Sequence, residues 1–115
     1  TFAFLDINPV NPGHTLVIPK QHSRNIFDVE LEHAEAIMRT TVKIANAIKS
    51  SLAPDGINLF QCNEPAATQE VFHFHMHIIP RFEDDSVVLK WNQQQGEPEE
   101  LNKVAKKIKD ELSVN

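Results

Sequence analysis

Three histidines alternate with large apolar residues in the stretch 71–81, which reads VFHFHMHIIPR. Side chains at positions i, i+2 and i+4 of a strand share one face, so the spacing predicts that His73, His75 and His77 point the same way. The phenylalanine, methionine and isoleucine side chains form an apolar stripe on the opposite face. The pattern indicates a rigid strand that packs on a core and presents three imidazoles on its accessible side.

Spacing alone leaves three interpretations of these imidazoles open. They form a polar strand face without a chemical role, or they chelate a metal such as zinc, for which imidazole is a common ligand. In the third interpretation one imidazole attacks a substrate while its neighbours fix its tautomer and handle charge. The nearby acid Glu70 lies one residue outside the histidine face by parity, so it does not strengthen a metal site. Metal ligation and nucleophilic catalysis both remain open at this point.

Short strand-like runs accompany the histidine stretch and must position it. They lie at residues 1–7, 15–19 and 57–61, and turn-forming residues separate the first two, which predicts an antiparallel hairpin with a wide loop. Pro80 is expected to end the histidine strand or to place it at a sheet edge, because proline cannot donate to the strand ladder.

Helical periodicity appears in two other parts of the chain. Residues 28–52 carry apolar side chains at three- and four-residue steps, which predicts one long helix with Asp28 as its N-cap. Pro98 fits the first turn of a C-terminal helix with its own apolar face. The fold class is therefore expected to be α+β, an antiparallel sheet with one long helix packed on it and a C-terminal helix. Residues 1–115 are expected to form a single domain.

Composition limits the classes of function. The chain has 115 residues, 41% hydrophobic and 23% charged, which is ordinary for one globular domain. A formal charge of −5 argues against a duplex-coating protein, so no nucleic-acid partner is expected. No apolar run approaches the length of a membrane span and no signal peptide is visible, so no membrane partner is expected. Cys62 is the only cysteine, which excludes an internal disulfide and favours a cytoplasmic location.

The residues around the histidines carry a family resemblance. The run from Gln69 through Pro80 resembles the histidine triad signature, His-φ-His-φ-His-φ-φ with φ apolar. Upstream, FLDINP at 4–9 and PGHTLVIPK at 12–20 resemble that family's other recognisable blocks, in the right order. The resemblance covers nearly the whole chain and is greatest to the Hint-like branch. The segment IIPR is also compatible with dinucleoside polyphosphate hydrolases of the fragile-histidine-triad type.

The resemblance implies a nucleotidyl hydrolase or transferase that acts on a phosphorus atom linked to a nucleoside. A purine nucleoside phosphoramidate or an adenylyl conjugate is the implied substrate. His75 is implied as the nucleophile that forms a covalent nucleotidyl-histidine intermediate. His73 and His77 are implied to contact phosphate and order the imidazoles, and His14 to support the nucleophile from the neighbouring strand. A dinucleoside polyphosphate hydrolase, or a catalytically weak nucleotide-binding or scaffold protein of the same fold, is the alternative.

The resemblance also assigns residues that bind the nucleotide. Asp6 matches the family's ribose-binding acid, and Phe4 and Ile7 are the candidate walls for the base. Gln69 and the loop amides before it are expected to cradle the phosphate.

The phosphate loop departs from the family pattern in three places. Cys62 stands where an asparagine or glutamine is usual. Either Asn63 one place later replaces it through a shifted loop, or one polar contact is lost. Thr68 stands where glycine is common, so the backbone approach to phosphate is expected to differ. Glu70 replaces a serine that assists the leaving group in many Hint enzymes, and its charge opposes phosphate unless it turns outward or is protonated. Activity is expected to survive, with an altered rate or leaving-group preference.

The resemblance further implies a homodimer that pairs through the long helix and a sheet edge. No cofactor is expected to be required. Hint-like proteins often carry an upstream strand, and bacterial forms often add a Cys-x-x-Cys pair that helps bind zinc. Thr1 already lies in an apolar strand-like run, which is compatible with a missing N-terminal strand. Zinc is therefore expected only if such a segment supplies ligands.

Overall fold

A four-stranded antiparallel sheet organises residues 1–113, which are the residues that this computed structural model describes. The strand order is β1-β2-β4-β3, with two α-helices and one 3₁₀ turn outside the sheet. The elements in chain order are β1 (Phe2–Leu5), β2 (Thr15–Ile18), α1 (Leu31–Leu52), β3 (Gly56–Phe60), the 3₁₀ turn (Pro65–Ala67), β4 (Met76–Arg81) and α2 (Pro98–Ser113). The predicted α+β fold class is confirmed.

The two faces of the sheet have different roles. The face toward α1 buries Val17 and Ile78 completely, and they form the core with Ile37 and Ile48 of the helix. Because side chains alternate along a strand, Leu16 lies on the other face, together with its register partners Phe4 and His77. The apolar residues between the histidines thus hold the sheet on the helix, and the open face carries the polar groups.

Helix α1 begins later than the sequence predicts. Its N-cap is Glu30, and the expected cap Asp28 lies outside the helix. The Asp28 carboxylate accepts hydrogen bonds from the backbone N–H groups of Arg24 and Asn25, both at 3.0 Å. A separate turn intervenes, in which the Val29 N–H donates to the Asn25 carbonyl at 3.1 Å. The N-cap prediction is wrong because Asp28 satisfies this earlier turn instead.

Strand β4 lies between β2 and β3, so Pro80 does not place its strand at an edge of the sheet. Pro80 lies inside the strand and pairs with Ile57, but the pairing with β2 ends at Ile78. On that side the Pro80 carbonyl accepts a hydrogen bond from Asn11 Nδ2 at 2.9 Å. Proline is tolerated here because its missing N–H faces the side on which β2 has already ended.

Helix α2 contributes no buried side chain to the core. Its apolar stripe is more than half exposed and comprises Leu101, Val104, Ile108 and Leu112. The core between helix α1 and the sheet therefore forms without α2. Within residues 1–113, neither helix combines the length and apolar composition of a membrane span.

Candidate active site

Only the last of the three alternating histidines lies within a strand. Strand β4 begins at Met76, so His73 and His75 belong to the loop that leads into it. The backbone N–H of Phe74 donates to the Ser23 carbonyl at 2.7 Å, not to a neighbouring strand, which explains the late start. A single strand that presents all three rings is therefore a wrong prediction.

The rings separate into two groups. His75 and His77 lie edge to face with centroids 4.8 Å apart, and the His77 ring also approaches that of His14, at 5.2 Å. His73 instead approaches His22, with the two Nδ1 atoms 2.9 Å apart. The structure therefore gathers His14, His75 and His77 in one cleft, while His73 lies beside it and lines a smaller recess together with His75.

The tautomer of His75 is fixed by the backbone. Its Nδ1 lies 2.6 Å from the carbonyl oxygen of His73. A carbonyl oxygen can only accept, so Nδ1 carries the proton and Nε2 keeps its lone pair. His75 thus offers the cleft an unprotonated ring nitrogen, which is the form that a nucleophilic imidazole needs.

A second chain of hydrogen bonds sets the tautomers of His14 and His77. The backbone N–H of Val10 donates to His14 Nδ1 at 3.1 Å, so the proton of neutral His14 lies on Nε2. This Nε2 lies 2.9 Å from His77 Nδ1 and donates to it. The proton of neutral His77 must then lie on its Nε2. His77 therefore presents an N–H donor to the cleft, whereas its neighbour His75 presents a lone pair.

Burial keeps this part of the site neutral. Burial is the main cause that lowers the pKa of His77 to about 4; nearby His75 and His14 lower it further, and Asp6 opposes them. Burial also lowers the pKa of His14, again against Asp6, whose Oδ2 lies 3.7 Å from His14 Nε2. Both rings are therefore uncharged at neutral pH, as the tautomer assignment requires.

Asp6, His14 and His77 also place three ligand atoms within 4.8 Å of one another. A metal ion would need the Nε2 lone pair of His14, and Nδ1 would then carry the proton. The hydrogen bond from the Val10 N–H to Nδ1 excludes that tautomer. The donor set thus fits a metal ion poorly. That no cofactor is required remains a prediction.

Two recesses meet at His75. The larger is an open cleft of about 610 Å³, and its lining includes Asp6, His14 and His77. The smaller is an almost wholly apolar recess of about 230 Å³, to which Phe4 contributes. Such a pair fits a ligand with a polar part and a flat apolar part.

Gln69 holds the loop that forms one wall of the cleft. It is buried, and its Nε2 donates to the carbonyls of Arg24 at 2.8 Å and Val71 at 3.1 Å. Its Oε1 accepts from Asn25 Nδ2 at 3.1 Å and from the Glu64 N–H at 2.7 Å. These four bonds use the whole capacity of the amide. A contact between the Gln69 side chain and phosphate would have to break one of these bonds. The predicted phosphate cradle therefore depends on the backbone of the loop, whose shape Gln69 holds.

The three departures from the family pattern have different surroundings. Cys62 lines the cleft, but Asn63 does not, because its Oδ1 accepts from the Ile26 N–H at 2.7 Å. Thr68 lines the cleft with φ of 65°, a left-handed conformation in which glycine is favoured. The exposed Glu70 also lines the cleft. Asn63 is thus not placed to replace the missing amide.

The remaining nucleotide-binding candidates lie on β1 and the turn after it. Phe4 lines the apolar recess and Asp6 the larger cleft, on either side of His75. Asp6 Oδ1 accepts from the Asn8 N–H at 2.8 Å, which holds the carboxylate in place. Ile7 is 92% exposed and lines neither recess among the residues described. The roles of all three stay predictions.

Sequence reasoning missed the residues that support the site from behind. Val10 acts through its backbone, which has no signature in the sequence. Asn25 is buried behind Gln69, and no local signal marks it, since it ends the polar run KQHSRN at 20–25. His22 has no motif that assigns it to the site, and its ring pairs with that of His73.

Comparison with known proteins identifies the same family throughout. The HIT domain family matches residues 1–84. An uncharacterized HIT-like protein of Borreliella burgdorferi is 46% identical over 90 residues, which are 76% of this chain and 65% of that protein. The adenosine 5'-monophosphoramidase HNT1 of Saccharomyces cerevisiae is 35% identical over 109 residues, which are 94% of this chain and 66% of that protein. A crystal structure of a HIT family protein from Bacillus anthracis superimposes with a TM-score of 0.89 at 46% identity, covering 95% of this chain and 79% of that one. The chain spans just under two thirds of both curated relatives.

Proposed function

Since the chain belongs to the HIT family, we propose that it hydrolyses a phosphorus-linked nucleotide, with a purine nucleoside phosphoramidate as the substrate. The name of the yeast relative supports this reaction class. The observation that carries the proposal is the contact between His75 Nδ1 and the His73 carbonyl at 2.6 Å. It leaves His75 Nε2 unprotonated in a cleft that also holds the N–H donor of His77.

In the first step His75 Nε2 attacks phosphorus and forms a phosphorus–nitrogen bond. The bond to the leaving amine breaks, and the departing nitrogen takes a proton from water at the open mouth of the cleft. The Nε2–H of His77 donates to a non-bridging phosphate oxygen and stabilises the charge that develops there. The His73 carbonyl accepts the Nδ1–H of His75 throughout, and this bond strengthens as the ring becomes cationic.

In the second step water attacks the same phosphorus. The bond to Nε2 breaks, its electron pair returns to the imidazole, and the water's proton passes to solvent. Two displacements with good leaving groups replace one difficult displacement.

The two recesses fit the two ends of such a substrate. The apolar recess beside Phe4 suits a purine base, and we assign the ribose hydroxyls to Asp6, whose side chain lines the larger cleft. Phosphate then lies between them, next to His75.

A nucleotide-binding protein with weak catalysis is the second candidate. It is favoured by Glu70, whose carboxylate lines the cleft and repels an anionic substrate. Turnover measured with the full chain separates the two functions, since only the first predicts product release.

The experiment incubates the chain with adenosine 5'-phosphoramidate and follows AMP by phosphorus NMR. His75→Ala is expected to reduce kcat by about 10³-fold or more, as for other covalent nucleophiles. His33→Ala on α1 is the matched control and should keep full turnover. Acid quenching of the wild type should trap an adenylyl group on the peptide that contains His75. Undiminished hydrolysis by folded His75→Ala would remove the nucleophile assignment.

We also propose that the protein is a homodimer. The long helix exposes Met38 and Val42, which are 45% and 50% accessible, and α2 exposes a complete apolar stripe. Contact with a second copy would cover both surfaces, since large exposed apolar areas favour association.

A further inference from the structure

The loop between β1 and β2 is tied to the far end of β4 by the side chain of Asn11. Its Nδ2 donates to the Pro80 carbonyl and to Asp85 Oδ2, both at 2.9 Å. Both acceptors are oxygens that lack a proton, so the orientation of the amide is fixed by chemistry. Asn11 is outside the residues that line the cleft.

The Asp85 carboxylate that accepts from Asn11 is itself held in place by four other hydrogen bonds. Arg81 donates to its two oxygens from Nε at 2.9 Å and from Nη2 at 3.0 Å. The backbone N–H groups of Phe82 and Val87 donate to the same carboxylate at 2.9 and 3.2 Å. These donors hold the pKa of Asp85 well below its ordinary range, Arg81 being the largest cause. Asn11 therefore binds a permanently charged acceptor, which makes the hydrogen bond stronger.

The main chain of the same loop positions the histidines. The Asn11 carbonyl accepts the backbone N–H of His14 at 3.1 Å. One residue earlier, the Val10 N–H donates to His14 Nδ1 at 3.1 Å. The Asn11 side chain thus fixes the segment that delivers this donor to the imidazole.

We propose that Asn11 is a positioning residue that selects the tautomers of His14 and His77 from outside the cleft. While the Val10 N–H stays on His14 Nδ1, His14 can only donate to His77, and His77 keeps its N–H on Nε2. When the loop moves, His14 is free to carry its proton on Nδ1 and to accept at Nε2. The proton of neutral His77 can then lie on Nδ1, and its Nε2 presents a lone pair to the cleft in place of the N–H donor. With His14 accepting at Nε2, a second proton on His77 is also opposed less than before.

Several groups surround His77 and act on the same equilibrium. Asp6 follows β1, His14 precedes β2, and His75 precedes β4 itself, while Cys62 and Glu70 face the cleft from the loop. Asn11→Ala changes none of these groups and adds no charge, so an altered titration of His77 in that variant reports a movement of the loop.

The test is nitrogen-15 NMR of the histidine rings in the full chain. In the wild type at neutral pH, His14 and His77 should both carry their proton on Nε2. Asn11→Asp places a carboxylate against Asp85 and the Pro80 carbonyl. The repulsion between these oxygens should displace the loop between β1 and β2. We expect the Nδ1–H form of His14 to appear and the titration midpoint of His77 to rise. Asn11→Ala should produce a smaller change in the same direction.

Asn58→Ala is the matched control. Asn58 Oδ1 accepts from Arg81 Nη1 at 2.8 Å, so this variant loosens the same arginine without touching Asn11. Its histidine tautomers should equal those of the wild type. If Asn11→Asp does not fold, Asn11→Ala decides the question.

The rate gives a second readout, which rests on the proposed function. With adenosine 5'-phosphoramidate, the folded Asn11 variants should lose about 10-fold in kcat, with little change in KM. Unchanged tautomers and titration in both variants overturn the inference, as does an Nδ1–H on His14 in the wild type. If the Asn11 variants change the histidine tautomers but the wild type does not turn over the phosphoramidate, the inference is supported and the proposed function is contradicted.

Discussion

His14 Nε2 lies 2.9 Å from His77 Nδ1 and donates its proton to it. This contact defines which nitrogen of His77 can serve a substrate, because Nδ1 is occupied and only the Nε2–H is left. It also opposes protonation of His77, since a proton on Nδ1 would face the N–H of His14. The contact therefore fixes the tautomer of His77 and adds to the lowering of its pKa, of which burial is the main cause.

The first prediction concerns stability at acid pH. The pKa of His77 is about 4 in the folded chain and 6.5 when unperturbed, so between these values the unfolded state binds more protons. The contribution of His77 to stability is therefore complete above about pH 6.5 and is lost as pH falls toward 4. Unfolding free energies measured by denaturant titration should fall across this window. His77→Gln should show a shallower slope, and equal slopes for the two proteins would contradict the prediction.

The second prediction concerns Glu70 in the cleft wall. Its carboxylate opposes an anionic phosphoramidate and favours a leaving amine that carries a second, cationic amino group. Glu70→Gln should raise kcat/KM by about 2- to 5-fold for a neutral leaving amine, the scale of an exposed charge interaction. The cationic substrate should gain nothing. Glu35→Gln on the exposed side of α1 is the control, and an equal response of both substrates would refute the role of Glu70.

The third prediction concerns the strained position Thr68. Its φ of 65° costs a residue with a Cβ about 1 kcal/mol, so Thr68→Gly should raise the unfolding free energy by up to that amount. Ala53, with φ of 47° at the end of α1, is a matched control outside the site. Ala53→Gly should stabilise similarly and leave turnover unchanged, whereas Thr68→Gly should also change kcat/KM. Loss of stability in Thr68→Gly would show that its hydroxyl contacts outweigh the strain.

The fourth prediction concerns the exposed apolar stripe of α2. If this stripe packs on a second copy, the double variant Val104→Glu and Ile108→Glu should shift the protein from dimer to monomer in sedimentation velocity. Lys103→Glu changes the charge on the opposite side of the helix and should leave the dimer intact. A monomeric wild type would refute the homodimer.

The sequence by itself determined the α+β class, the long helix and the segment that carries the chemistry. These features depend on short-range patterns, such as the apolar steps of residues 28–52 and the alternation around His75. The pattern was less reliable at boundaries. It placed the helix cap at Asp28 and put His73 on a strand, because it could not show which backbone groups already had partners.

Only the tertiary structure decided how the site is tuned. The tautomers of His14 and His77 follow from the N–H of Val10, and the loop that holds it is fixed by Asn11 and Asp85, which are 74 residues apart. Likewise, Asn63 turns away from the cleft because a backbone N–H 37 residues distant, that of Ile26, occupies its oxygen. Hydrogen bonds of this kind join positions that no local period relates. The proton positions on which the chemistry depends are therefore set when the chain folds.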